Sequence, residues 1–487
     1  MTPTLGRARL RALTAIRAFR RSRGPAAVGT PGLDRPMAHA LAEQLFSRVA
    51  GAEPAPGTVR LLRDAAENYP PWLDAIAQAR ASVCFENYII RDDAIGQQFA
   101  DALCASARAG VSVRVLYDWL GCIGTGRRYW RRLRQAGVEV RCFNPPRLDS
   151  PLGWLSRNHR KTLCCDGTVG FVSGLCVGDM WVGDPARGVA PWRDTGIELR
   201  GPALADVEAA FEQSWAYAGG EPPHTAVAPA VGTPPGALPL RVIGSRPNTM
   251  GLYRFDQLIA GIARHSLWLT DAYFVGTTAY TQTLCDAARD GVDVRLLVPG
   301  ASDIPVAKAL SRAGYRPLLE AGIRVFEWDG PMLHAKTAVA DGRWARIGSS
   351  NLNVASWMGN WELDVAVEDA GFAHSMEAMF LQDLQSATEV VLHVGGVHAT
   401  GPRRPEARRG SPGRIAAGAV GLGSVVGAAI TNHRALGPAE ARVMAAAAGL
   451  LLVGAAVAVF LPRLLTVPLA LVAGWVALTL LIKAWRL

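Results

Sequence analysis

The stretch from Ala102 to Leu116, ALCASARAGVSVRVL, returns 181 residues later, from Thr283 to Leu297, as TLCDAARDGVDVRLL. Leu, Cys, Ala, Arg, Gly, Val, Val, Arg and Leu keep their places in both copies. Each copy reads as a helix stopped by glycine and followed by a strand in which Val alternates with other residues. A second strand precedes each copy, at 82–90 and 266–275, and a third follows, at 136–140 and 321–325. Strand–helix–strand–helix–strand, twice, predicts an α/β fold of two sandwich halves with largely parallel sheets. The halves are expected at 55–218 and 238–395. A segment dense in Pro, Gly and Ala at 219–237 joins them.

Outside the halves the character of the chain changes. A chain of 487 residues, half of them hydrophobic and 19% charged, is no disordered polyelectrolyte. Its net charge of +10 is unevenly placed. Residues 1–23 carry +7, 400–414 carry +4 and 415–487 carry +4, which leaves −5 for 24–399. An acidic centre is a poor match to a phosphate backbone, so nucleic acid is not the expected partner. The basic N-terminal arm (1–54 with its lead-in) and the Arg-rich linker 396–414 suit anionic lipid. From 443 to 461 and from 464 to 482 the chain is almost wholly apolar, each run close to the ~20 residues that span a bilayer. The Pro462-Arg463 break leaves room only for a hairpin turn. Arg442, Lys483 and Arg486 flank the outer ends, which predicts a transmembrane hairpin with both ends cytoplasmic. The shorter run 415–430 reads as interfacial or a short third span within the membrane region 415–487. The eight Cys form no C-x-x-C pair and sit mostly among apolar residues, as buried small hydrophobes would.

Both halves carry the same chemical pattern. His159, Lys161 and Asp166, followed by Gly167, match His334, Lys336 and Asp341, followed by Gly342, as H-x-K-x-x-x-x-D-G. Both fall where a strand is expected, and residues two apart on a strand share a face. One such match could be a surface strand; two at equivalent places in a duplicated chain mark a site. Phosphodiester transfer needs these residue types. Two Lys can neutralise non-bridging oxygens as charge builds. One neutral imidazole can attack phosphorus, and the other, as imidazolium, can protonate the leaving oxygen. No metal or organic cofactor is required. Each imidazole also needs a carboxylate to fix its tautomer. The downstream candidates are Asp194, 35 residues after His159, and Glu362, 28 after His334.

On these motifs the chain resembles the phospholipase D superfamily, and within it the bacterial cardiolipin synthases. His334, Lys336 and Asp341, then Gly348-Ser349-Ser350-Asn351, then Glu362 carry the likeness in the second half. The first half adds 86–93 (ENYIIRDD), Tyr117-Asp118 with Gly121, and 191–195 (PWRDT). It departs from the pattern at Cys176, where the family has Asn, and at Ser173, where Gly is usual. The likeness covers about 55–395. It implies halves packed about a pseudo-twofold axis, with both motifs in one cleft and a catalytic set of His159, Lys161, Asp166, His334, Lys336 and Asp341. It implies transfer of a phosphatidyl group from one phosphatidylglycerol to another through a phosphohistidine, with His159 as nucleophile and His334 as general acid. Asp166 and Asp341 would brace the cleft. Asp194 and Glu362 would support the imidazoles, and Ser173, Ser349 and Asn351 would donate to phosphate oxygens. The expected setting is the bacterial inner membrane, with the catalytic region on the cytoplasmic side. Hydrolysis, or transfer to another alcohol, uses the same residues, and some members of the superfamily cleave DNA.

Overall fold

A computed structural model of the chain describes residues 35–146, 155–221, 232–393 and 396–399, with scattered positions between 449 and 478. The repeated stretches begin with the helices Ala94–Arg108 and Thr278–Arg289. Each helix starts on a side-chain cap. The Asp93 carboxylate accepts the Gly96 N–H at 3.0 Å, and the Thr277 hydroxyl accepts the Tyr280 N–H at 3.2 Å. Just beyond each end, Gly110 (φ 91°) and Gly291 (φ 93°) turn the chain through the left-handed region that glycine tolerates best.

The first half supplies strands β1 (Pro54–Arg63), β2 (Ser82–Asn87), β3 (Ser112–Asp118), β4 (Glu139–Phe143), β5 (Lys161–Cys165), β6 (Val169–Ser173) and β7 (Thr195–Arg200). The second supplies β8 (Leu238–Ser245), β9 (Ser266–Thr270), β10 (Asp293–Pro299), β11 (Arg324–Trp328), β12 (Thr337–Ala340), β13 (Trp344–Gly348), β14 (Glu362–Val367), β15 (Ala387–His393) and β16 (Gly396–Ala399). From its inner edge the first half runs β1-β7-β6-β5-β2-β3-β4, and the second runs β8-β14-β13-β12-β9-β10-β11-β15-β16. The duplication is therefore complete at the level of topology. The two inner edges, β1 and β8, pair antiparallel and join everything into one 16-stranded sheet.

The sheet is mixed, which corrects the expectation of largely parallel halves. Among the strands of the described residues, only β2-β3-β4 and β9-β10-β11 pair in parallel. Those are the strands joined by helical crossovers, which parallel neighbours need. The remaining strands return through tight turns or pair across the sheet, and so run antiparallel. Alternation along β2 shows the layering. Val83 and Phe85 pack with Trp72 and Phe99 on one face, while Cys84 faces Phe211 and Trp215 of helix Leu204–Tyr217 on the other. That second core is shared, since Ile347, Val365 and Met376 of the second half belong to it. All eight cysteines are free thiols, and seven are buried.

The second half runs further than 395, because Gly396–Ala399, expected as the start of the basic linker, pairs with β15. The N-terminal arm up to residue 34, the rest of the linker and the segment 415–430 lie outside the described residues. So do most positions of 443–461 and 464–482. Among the described residues no helix is long and apolar enough to cross a membrane. Those described in the two apolar runs are helical, and Leu452, Val459, Phe460, Leu471 and Leu478 among them expose their side chains, while Trp475 is half-buried.

Candidate active site

Lys161 opens β5 and Lys336 immediately precedes β12, so each His lies just outside the strand where alternation had placed it. The two residues of each pair nonetheless stay together, because each Lys ammonium donates to the backbone carbonyl of its own His. The segments leading into the motifs are laced to the opposite half. His159 N–H donates to the Trp361 carbonyl and Trp361 N–H to the Arg157 carbonyl, both at 2.8 Å. Likewise His334 N–H donates to the Arg193 carbonyl at 2.7 Å, and Arg193 N–H to the Met332 carbonyl at 2.9 Å.

This lacing exchanges the carboxylates. The sequence placed Asp194 downstream of His159 and Glu362 downstream of His334. In the structure His159 Nδ1 meets Glu362 at 3.0 and 3.1 Å, and His334 Nδ1 meets Asp194 at 2.7 Å. Each imidazole takes its support from the other half. All four groups are buried.

The two pairs are electrostatically unlike. Burial drives His159 down to about 4, with Lys161 and Lys336 adding to the effect and Glu362 opposing it. Burial pushes the Glu362 carboxyl upward, but His159, Lys161 and the Ser349 hydroxyl outweigh it and hold it below its usual range. An ionised Glu362 can only accept, so His159 carries its proton on Nδ1 and leaves the Nε2 lone pair free. Asp194 lies above the ordinary carboxyl range because burial prevails over Lys336, the Trp181 N–H and the Thr195 N–H. Its oxygens accept Trp181 Nε1–H at 3.0 Å and Thr195 N–H at 2.9 Å. Burial also lowers Lys336 to about 8 against the pull of Asp194 and Asp271, and Lys161 pushes in the same direction. The two ammonium groups are thus close enough to repel one another.

The supporting residues do not all stand where expected. Ser349 donates to Glu362 at 2.5 Å, so it braces a carboxylate rather than offering itself to phosphate. At the matching place the first half has Gly174, where any Cβ would lie 2.1 Å from the Asp194 carboxylate. The indole of Trp181 takes the role the hydroxyl has on the other side. Ser173 Oγ accepts Leu175 N–H at 3.1 Å within its own turn. Asn351 offers its N–H to Ser356 Oγ at 3.2 Å, and its side-chain oxygen is buried without a hydrogen-bond partner.

Asp166 and Asp341 are far from this centre. A strand of five residues at ~3.3 Å each separates Asp166 from Lys161 by roughly 16 Å. Both residues adopt positive φ (55° and 52°), and their carboxylates gather the N–H groups at the start of β2 and β9. Asp166 accepts from Arg80, Ala81 and Ser82 at 2.7, 2.8 and 2.7 Å. Asp341 accepts from Arg264, His265 and Ser266 at 2.7 to 3.1 Å. Their place in the catalytic set is corrected accordingly: they lock strand ends and do not touch the reacting groups. Asp166→Ala removes three hydrogen bonds accepted by its two carboxylate oxygens, and a residue tolerant of the left-handed region. We expect it to cost about 2–4 kcal/mol, read by denaturant unfolding, with turnover per folded molecule unchanged.

Asp271 carried no signal in the sequence, whereas Asn87, Tyr88 and Trp192 stood only in stretches that carried the family resemblance. Asn87 stands opposite Lys161 in the β2–β5 ladder. Continuing the β9–β12 ladder by one step puts Asp271 opposite Lys336. Asp271 is buried, accepts the Leu352 N–H at 2.6 Å and the Tyr273 N–H at 2.8 Å, and is pushed by burial up to about 7. The Asn87 side-chain amide nitrogen is buried without a hydrogen-bond partner. Aromatic rings wall the imidazoles: Tyr88 edge-on to His159 at 4.9 Å, and Trp181 and Trp192 against His334 at 5.6 and 5.9 Å.

Comparison with known proteins accords with this geometry. The family model described as cardiolipin synthase, PLD-like domain matches residues 72–177 and 258–384, one match in each half. A cardiolipin synthase of Alkalihalophilus pseudofirmus is 32% identical over 385 residues, covering 77% of this chain and 76% of its own. Cardiolipin synthase A of Pseudomonas aeruginosa is 36% identical over 341 residues, 68% of each chain. Among solved structures, phosphatidylserine synthase of Haemophilus influenzae superposes with a TM-score of 0.56 at 15% identity, over 72% of this chain and 92% of that one, which speaks for the fold. With a His–Lys pair in each half, one sheet order repeated and relatives above 30% identity over most of its length, the chain belongs to the cardiolipin synthase family of phospholipase D-like enzymes.

Proposed function

We propose that the protein joins two phosphatidylglycerol molecules into cardiolipin and releases glycerol, with His159 as nucleophile and His334 as general acid and base. The observation that carries the roles is the unequal pair of imidazole–carboxylate contacts. His159 is neutral, with its Nδ1 proton held by an ionised Glu362, so Nε2 is free to attack. In the first step Nε2 bonds to phosphorus and the bond from phosphorus to the glycerol oxygen breaks. His334, as imidazolium, gives its Nε2 proton to that oxygen, and glycerol departs. In the second step neutral His334 takes the proton from the primary hydroxyl of a second phosphatidylglycerol. The hydroxyl oxygen attacks phosphorus, the P–N bond breaks, and cardiolipin leaves. Lys161 and Lys336 neutralise the non-bridging oxygens through both transition states. Asn87 and Asn351, each with a buried amide atom lacking a partner, are suited to bind the same headgroup.

Lipid substrates and apolar C-terminal runs of spanning length support an inner-membrane enzyme, its catalytic halves held on the cytoplasmic side by the hairpin 443–482. The test is to supply membranes containing the protein with labelled phosphatidylglycerol and separate the lipids. Cardiolipin with free glycerol supports the reading. Phosphatidic acid alone would mean a hydrolase, and no phospholipid turnover would reject both.

The pH profile follows from the two shifted groups. Below about 4 His159 takes a proton on Nε2 and the nucleophile is lost; above about 8 Lys336 gives up its charge. We expect kcat/KM to be bell-shaped with limbs near pH 4 and pH 8. An acid limb at 6 or above would contradict a buried, neutral His159.

A further inference from the structure

Four large apolar side chains stand in solvent close to the site: Ile123 (46% exposed), Leu155 (54%), Val182 (40%) and Met358 (41%). Each belongs to a segment that shapes the centre. Leu155 lies four residues before His159, and its neighbour Ser156 donates to the Gly359 carbonyl at 2.8 Å, which brings the Leu155 and Met358 turns together. Met358 lies four residues before Glu362. Val182 follows Trp181, the indole that holds Asp194. Trp181-Val182-Gly183 and Trp357-Met358-Gly359 follow the two motifs as a further repeated element, with the Trp buried and its neighbour exposed in both halves. Ile123 sits on the loop that wraps Tyr88–Ile90, where Thr125 Oγ donates to the Ile90 carbonyl. Beside Met358, whose carbonyl accepts the Asn248 N–H at 3.1 Å, Arg246 and Arg254 are exposed, and neither forms an ion pair among the described residues.

An apolar rim with unneutralised Arg beside it, around a site for a lipid headgroup, has the chemistry of a bilayer interface. We propose that this rim is the face on which the folded halves dock on an anionic phospholipid bilayer. Ile123, Leu155, Val182 and Met358 enter the headgroup–acyl boundary, and Arg246 and Arg254 bind lipid phosphates. The docked orientation lets a substrate headgroup enter the centre while its acyl chains stay in the membrane. The inference rests on the phospholipid reading above and adds to it the surface by which the substrate arrives.

The test uses the full chain reconstituted in phosphatidylcholine vesicles containing phosphatidylglycerol, so that the hydrophobic tail is present throughout. Turnover of bilayer phosphatidylglycerol is compared with turnover of a short-chain, monomeric phosphatidylglycerol. The double variant Leu155→Asp/Met358→Asp is expected to lose about tenfold or more on the bilayer substrate and to keep the monomer rate within about twofold. Arg246→Gln/Arg254→Gln should require a higher fraction of anionic lipid for half-maximal bilayer turnover. Equal loss on both substrates, or none on the bilayer, overturns the proposal. So does a loss that tracks a change in oligomeric state by sedimentation, since the rim would then be covered by a second copy. Wild-type protein inert toward both substrates would instead reject the phospholipid reading itself.

Discussion

Replacing His159 with Ala is expected to lower cardiolipin formation by roughly 10⁴-fold or more. The imidazole is the group that forms the bond to phosphorus. Replacing His334 with Ala should be as severe on phosphatidylglycerol but different in kind. Glycerol is a poor leaving group and needs a proton; p-nitrophenol does not. With a phosphatidyl p-nitrophenol substrate, His334→Ala should release one burst of p-nitrophenol per active centre and retain a phosphatidyl group on His159. His159→Ala should give no burst. A burst from His159→Ala and none from His334→Ala would reverse the two roles. Both variants should fold, because truncating the ring leaves the backbone lacing of the two halves in place.

The second large effect is expected at Glu362. It holds the Nδ1 proton of His159, and its own charge is secured by the Ser349 hydroxyl and the Asn360 amide at 2.5 and 3.2 Å. Glu362→Gln keeps the volume and hydrogen-bonding capacity, so the fold should survive. Without the anion, the tautomer with its lone pair on Nε2 is no longer enforced, and the imidazolium that carries the phosphatidyl group on Nε2 between the two steps loses its counter-charge. A fall of about 10²–10⁴ in turnover is expected. The carboxylate raises the His159 pKa, so its removal should also move the acid limb of the pH profile to lower pH. Turnover within a few-fold of wild type would show that Glu362 has no part in orienting the nucleophile.

The repeated helix and strand at 102–116 and 283–297 made the two halves legible in the sequence. The strand order within them was not legible. Val alternation marks a strand but does not say which neighbour it meets, and only three neighbouring strands of each half pair in parallel among the described residues. His159, Lys161, His334 and Lys336 stood out because they occur twice. Asp166 and Asp341 occur twice as well, yet they conserve a turn rather than a reaction, and spacing alone cannot separate those two reasons. The exchange of Asp194 and Glu362 was hidden because each lies a similar distance downstream of the wrong imidazole. Asp271 escaped notice because its counterpart is Asn87, so repetition gave no signal.

The contacts from His159 to Glu362 and from His334 to Asp194 make competence a property of the pair. Neither half holds an imidazole together with its own carboxylate, so a duplicate that drifted would disable its sister before itself. Selection must therefore act on the two copies jointly. Co-expressed fragments should regain activity only by reassembling across the β1–β8 seam, and a fragment carrying one half should remain inert at any concentration that keeps it alone.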